Sequence, residues 1–252
     1  SALIFFQTGG GCRASNYVML LRKALEKMGM SYVPVIAVSF AGYEKYSGFK
    51  ITLPMIRAGV TSIIYGDMLM LMRNRTAPYE THKGASDELV KRWTNEINSQ
   101  FRRKHGVSRR DVKANLASIA ADFDAIEREE RNAVKVGIVG EIYVKYSPFA
   151  NRNLEAFLAS QGCEYMIPGV FGFFRYCAAN MQTDYRYYGG SRLKAAAGRL
   201  IDRFAEKYDE MLIEAVKPYP FYPAPLPFGR IAELSDRVID RGVKMGEGWL
   251  LT

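Results

Sequence analysis

The opening of the chain constrains the fold most. Residues 2–6, ALIFF, are an unbroken apolar run that leads through Gln7 and Thr8 into Gly9-Gly10-Gly11. Apolar residues without alternation read as a strand buried on both faces. From Cys12 to about Met28, the residues Val18, Leu20, Leu21, Ala24, Leu25 and Met28 share one helical face, while Arg22, Lys23 and Lys27 fall elsewhere. The run YVPVIAVSF (32–40) then predicts a second strand. Strand, helix and strand in this order imply a βαβ unit with a parallel sheet.

The middle of the chain has a different pattern. Residues 51–75 are apolar and Met-rich and read as a helix, and 85–105 and 108–131 read as two charged amphipathic helices. VKVGIVG (134–140) predicts another buried strand, NRNLEAFLASQG (151–162) a helix with a glycine stop, and CEYMIPGV (163–170) a further strand. A long amphipathic helix covers 192–216, and a last one covers about 229–243. Between them KPYPFYPAPLPFG carries five prolines and reads as an extended linker or strap. The expected fold is α/β: two Rossmann-like (flavodoxin-like) parallel-sheet units with an inserted helical layer. The first unit spans 1–50, the helical insertion 51–132, and the second unit 133–252, with the strap at 218–227.

With 252 residues the chain is long enough for a sizeable core, and its net charge of +9 favours anionic partners without choosing among phosphate, coenzyme A, nucleic acid or an acidic protein face. Its three cysteines, Cys12, Cys163 and Cys177, are too few for a disulfide framework and fit a reducing, cytoplasmic setting. No apolar run in the sequence approaches the ~20 residues that span a bilayer. The chain begins without Met and ends at GEGWLLT, which we read as a segment of a longer polypeptide.

A glycine turn between strand and helix presents free backbone N–H groups and attracts anions. Gly9-Gly10-Gly11 lacks the Lys-Ser/Thr pair of a P-loop, and a dinucleotide fingerprint begun at Gly9 would end on Ala14. Cys12 falls in the first turn of the helix beside Arg13, where helix and guanidinium both favour the thiolate that a metal or iron–sulfur cluster needs. The same local pattern also fits a small residue packed beside a tight turn. Glu141 follows a glycine at the end of the 134–140 strand, the position where open α/β sheets place ligands. Glu141, Tyr143 and Asn151 are expected to line a cleft with Cys12, or Glu141 merely caps the next helix.

Several stretches together resemble a known family. QTGGGCRASNYVMLLRKALEKMGMSYVPVI, YGDMLMLMRNRTAPYE, VGIVGEIYVKYSPFANRNL, YYGGSRLK and KMGEGWLLT run in order along the chain and are similar to the 2-hydroxyacyl-CoA dehydratase and CoA-substrate-specific activase-related proteins of anaerobic bacteria. The closest likeness is to the D-component-like region of the large activase-like proteins. The resemblance implies a redox system in which an ATP-driven activase passes one electron through iron–sulfur clusters to a dehydratase. That electron permits loss of water from a 2-hydroxyacyl-CoA by way of a ketyl radical. By its place in the motif Cys12 resembles a cluster ligand. The other ligands of the family come from segments before and after this stretch, and Cys163 and Cys177 match no ligand position. No ATPase motif of the family is present in these residues. The implied partners are other domains of a longer polypeptide, dehydratase subunits and acyl-CoA, with no nucleic acid and no membrane. Gly9, Gly10, Gly11, Cys12, Arg13 and Glu141 are the candidate binding residues, and Cys12 is the metal candidate.

Other motifs have structural readings. Arg75, Tyr79 and Glu80 in NRTAPYE fit a substrate or interdomain contact, or a helix stop at Pro78. The basic run at 101–113 has one aromatic and reads as a solvated turn rather than a stacking platform. His82 and His105 have no metal-ligand spacing. A phosphate-binding module for nucleotide or CoA, or a scaffold acting through the Pro-rich strap, are the alternatives to a redox role.

Overall fold

The computed structural model describes residues 2–7, 13–39, 42–43, 52–243 and 250. The first βαβ unit forms in the expected order, but its first strand is not buried on both faces: Leu3 and Ile4 are 39% and 50% exposed, and Leu20 in the following helix and Met28 at its C-cap are 58% and 70% exposed. Strand β1 (Leu3–Phe6) lies parallel to β2 (Val35–Ser39), with Leu3 opposite Val35. They are joined through a 3-10 turn (Arg13–Asn16) and helix α1 (Tyr17–Lys27). Val18 and Leu25 of α1 close a small core with Val35 and Ala37. A two-residue strand, β3 (Gly42–Tyr43), adds antiparallel to β2.

Beyond this unit the chain is dominated by helices. In order they are α2 (Leu53–Thr76), α3 (Ala85–Arg102) and α4 (Arg109–Asp124). Strand β4 (Lys135–Gly137), helices α5 (Ile142–Tyr146) and α6 (Leu154–Ser160), and strand β5 (Glu164–Met166) follow. Helices α7 (Val170–Tyr188), α8 (Arg192–Val216) and α9 (Phe228–Ser235) complete the order.

This corrects the expectation of two Rossmann-like units. Strands β4 and β5 are parallel, but each has three residues and they pair only with each other. Two strands of that length cannot bury a doubly wound sheet. The principal core is helical instead. Ile64, Tyr65, Met68 and Met72 of α2 are enclosed by Leu89 and Ile97 of α3, Leu116, Ile119 and Phe123 of α4, and Tyr208 and Leu212 of α8. By length and composition α2 is also the one helix among the described residues able to cross a bilayer. Ile64, Tyr65, Met68, Leu69 and Met72 are sealed inside the protein, while Leu53, Met55 and Ile56 in its first turns are exposed.

Helix starts follow ordinary capping chemistry. Thr52 accepts from Met55 N, and Ser108 and Asp111 form a reciprocal capping box. Between α3 and α4 the chain turns over 103–108, with His105 exposed, and the rest of the basic run 101–113 lies in the ends of the two helices. The Pro-rich strap is extended over 223–227 only. Its first half turns back on itself, and Tyr222 is buried with its hydroxyl bonded to Thr76 Oγ1 (2.8 Å) and donating to Phe123 O (3.0 Å).

Candidate functional site

Residues Gly9, Gly10, Gly11 and Cys12 lie outside the described residues. What the structure places is the frame around them. Gln7 N continues the ladder of β1 by donating to Val38 O (2.9 Å). The chain re-enters at Arg13, the first residue of the 3-10 turn, and Ala14 and Val18 pack inward beside the sheet. Tyr17 opens α1, with its ring edge-on to Phe5 at 6.0 Å.

Glu141 sits between β4 and α5. It caps α5 in the local manner, Oε2 accepting from Val144 N at 3.0 Å. Two residues on, the Tyr143 ring meets Tyr17 edge-to-face at 5.9 Å. Helix α1 therefore touches α5, the helix that follows β4. Two polar atoms at this junction, Tyr17 Oη and Glu141 Oε1, are shut off from solvent without a hydrogen-bond partner among the described residues. Buried polar atoms left this way are uncommon in folded proteins. Asn151 is occupied elsewhere: its Oδ1 accepts from Leu154 N (3.1 Å) and starts α6.

The sequence reading missed the device that sets the loop after β5. Asp67 is an acid in the middle of the apolar helix α2, and its carboxylate accepts from Val170 N and Phe171 N at 2.8 Å each. It thus caps α7 from 103 residues away. Burial pushes its pKa up to about 6, against the two amide bonds that favour the charge. Gly169 makes room: an added Cβ there would lie 2.6 Å from Asp67 Oδ2. Tyr146 donates to Pro168 O in the same loop. The only local signal was a lone acid among methionines.

A second cluster ties α2 to β5. Glu164 accepts from Arg75 and from Tyr79 Oη (2.8 Å). Arg75 and Arg128 both lie over the Phe221 ring, at 4.5 and 4.4 Å. Glu80 accepts from Gly84 N and Ser86 N (2.5 and 2.9 Å), so NRTAPYE works here as an anchor for the start of α3 and for the strap.

The implied iron–sulfur cluster can be tested against the donor set. Cys163 enters β5, its N–H closing α6 onto Leu158 O, and Cys177 lies within α7 beside the Tyr176–Phe228 core. Among the described residues no group of three or more His, Cys, Asp or Glu side chains converges. They supply no ligand set of their own.

No protein-family model, curated protein or solved structure matches the chain.

Proposed function

We propose that this chain is the D-component-like part of a cytoplasmic 2-hydroxyacyl-CoA dehydratase activase-type redox system. The β1–α1 and β4–α5 junctions form one site in this reading. The observation that carries it is the Tyr17–Tyr143 contact, which brings the helix after Gly9–Arg13 against the helix capped by Glu141. Cys12 contributes one thiolate to an iron–sulfur cluster, and segments of a longer polypeptide supply the rest. Acyl-CoA or dehydratase subunits are the partners. The chain by itself carries no complete catalytic cycle.

A second reading is favoured by the absence of acids from the 3-10 turn Arg13–Asn16 that follows the glycines and from the first turn of α1 after it. There the glycine turn would hold a phosphate of CoA or a nucleotide and Cys12 would be incidental. One anaerobic experiment separates the two. The longer polypeptide is reconstituted with iron and sulfide, and its visible absorbance is compared with that of Cys12→Ser and Cys163→Ser. Loss of absorbance in Cys12→Ser alone is the expected result. Unchanged iron content in Cys12→Ser, with phosphate-dependent CoA binding intact, would establish the second reading instead.

A further inference from the structure

Helix α8 has two apolar faces. The inner one, with Ala195, Gly198, Ala205, Tyr208 and Leu212, is buried. The outer one repeats Leu193, Ala197, Leu200 and Phe204 at spacings of four, three and four residues. Leu193 is 80% exposed, Leu200 71% and Phe204 41%. Single exposed apolar residues need no explanation. A row with this spacing is the a/d seam by which one helix receives another.

The flanks of the seam state the partner's charge. Arg192, Lys194, Arg199 and Arg203 are all exposed alongside it. The one acid between 192 and 204, Asp202, is held by the buried Arg175. Arg109 at the start of α4 reaches over the Phe204 ring at 5.5 Å. Arg109, Arg203 and Lys207 border a groove of about 460 Å³ with Leu200, Phe204, Glu206 and Glu210, three basic side chains against two acidic ones.

We propose that the outer face of α8 docks an acidic amphipathic helix of a partner protein, with Leu-type residues in the seam and carboxylates against the basic flank. A second copy of this chain fits less well, because it would bring its own basic flank against this one. An anionic membrane surface also fits less well. Ile201, 52% exposed, widens the row, but Arg109 of α4 closes over Phe204 and makes it a walled groove rather than the open face that an interfacial helix lays into lipid. The inference is independent of the redox reading.

The test uses a labelled three-heptad peptide with Leu at a and d and Glu at e and g, titrated with the protein by fluorescence anisotropy. Leu200→Glu/Phe204→Glu should weaken binding by about tenfold or more. A matched peptide with Lys at e and g should bind weaker by about the same factor. Because both substituted side chains are exposed, the thermal unfolding midpoint serves as the folding control. Equal binding of the two peptides, or binding that survives the double substitution, overturns the proposal. It is equally overturned if the wild-type protein sediments as a dimer that the double variant dissociates, or if phosphatidylglycerol vesicles bind the protein through the same residues while the acidic peptide does not.

Discussion

Asp67 shows how one side chain can organise a distant element. Its carboxyl is harder to ionise in the folded protein than in the unfolded chain, because burial raises the pKa from 3.8 to about 6. The folded state therefore holds this proton more tightly. The group's contribution to stability is fully present below about pH 4 and is lost as pH rises through about 6. The shift corresponds to about 3 kcal/mol at 1.36 kcal/mol per unit. Asp67→Asn cannot titrate. In urea unfolding between pH 4 and 7, the wild type should lose stability relative to this variant as pH rises. A constant difference between the two across that range would show that Asp67 has no raised pKa. Gly9–Gly11 and Cys12 stand out in the sequence because strand, glycine and helix signals are local, and they lie outside the described residues. Asp67 does not stand out, because its partners are backbone groups a hundred residues away and leave no mark in its own neighbourhood.

Helices α7 and α8 form the closest pairing of long elements. At their crossing, a Cβ added to Gly198 would lie 2.6 Å from Ala178 O, a backbone atom that cannot swing aside. Helix propensity alone favours alanine over glycine by about 1 kcal/mol. Here the close approach dominates, and Gly198→Ala should destabilise the protein by about 1–3 kcal/mol. A calorimetric midpoint that rises in this variant would show that the helices can separate without cost. Below the crossing, the buried Arg175 of α7 bridges Asp202 and Asp209 of α8, its several N–H donors divided between two carboxylates. Burial pushes the Asp209 carboxyl up, opposed by the Arg175 bond.

The bounds of α8 matched the sequence reading residue for residue, since Ser191 caps it locally and its inner face has clear helical spacing. Helix α7 carries no such local signal. Its first residues are aromatic and glycine-rich, and its cap comes from Asp67 rather than from a preceding Ser or Asp. VKVGIVG and CEYMIPGV looked like long strands for a related reason. Ile138, Tyr165 and Ile167 pack against α2, α5 and α6, while Val134, Val139 and Met166 are exposed, so an apolar run did not require a sheet buried on both faces.

Across the whole molecule, the βαβ unit at the start meets the helical body through Tyr17 and Tyr143. An edge-to-face aromatic pair is worth about 0.5–1.5 kcal/mol beyond its buried area. A double-mutant cycle of Tyr17→Ala and Tyr143→Ala should return a coupling energy in that range. Strictly additive losses would mean that the two junctions do not act as one site. The α/β character of the first unit was visible in sequence because a βαβ is a local object. The dominance of the helical core was not, because α2, α4 and α8 recognise one another only through shape.

Helix α2 contacts β5, α3, α4, α7 and α8. Asp67 must wait for Val170, 103 residues later, and Thr76 waits for Tyr222, 146 residues later. At about 5–20 residues per second, a ribosome needs roughly 5–20 s to bridge the first of these gaps. Throughout that interval a long, Met-rich apolar helix has emerged without most of its covering. The central helix of the finished protein is thus a vulnerable segment during synthesis, and the one a chaperone would hold first.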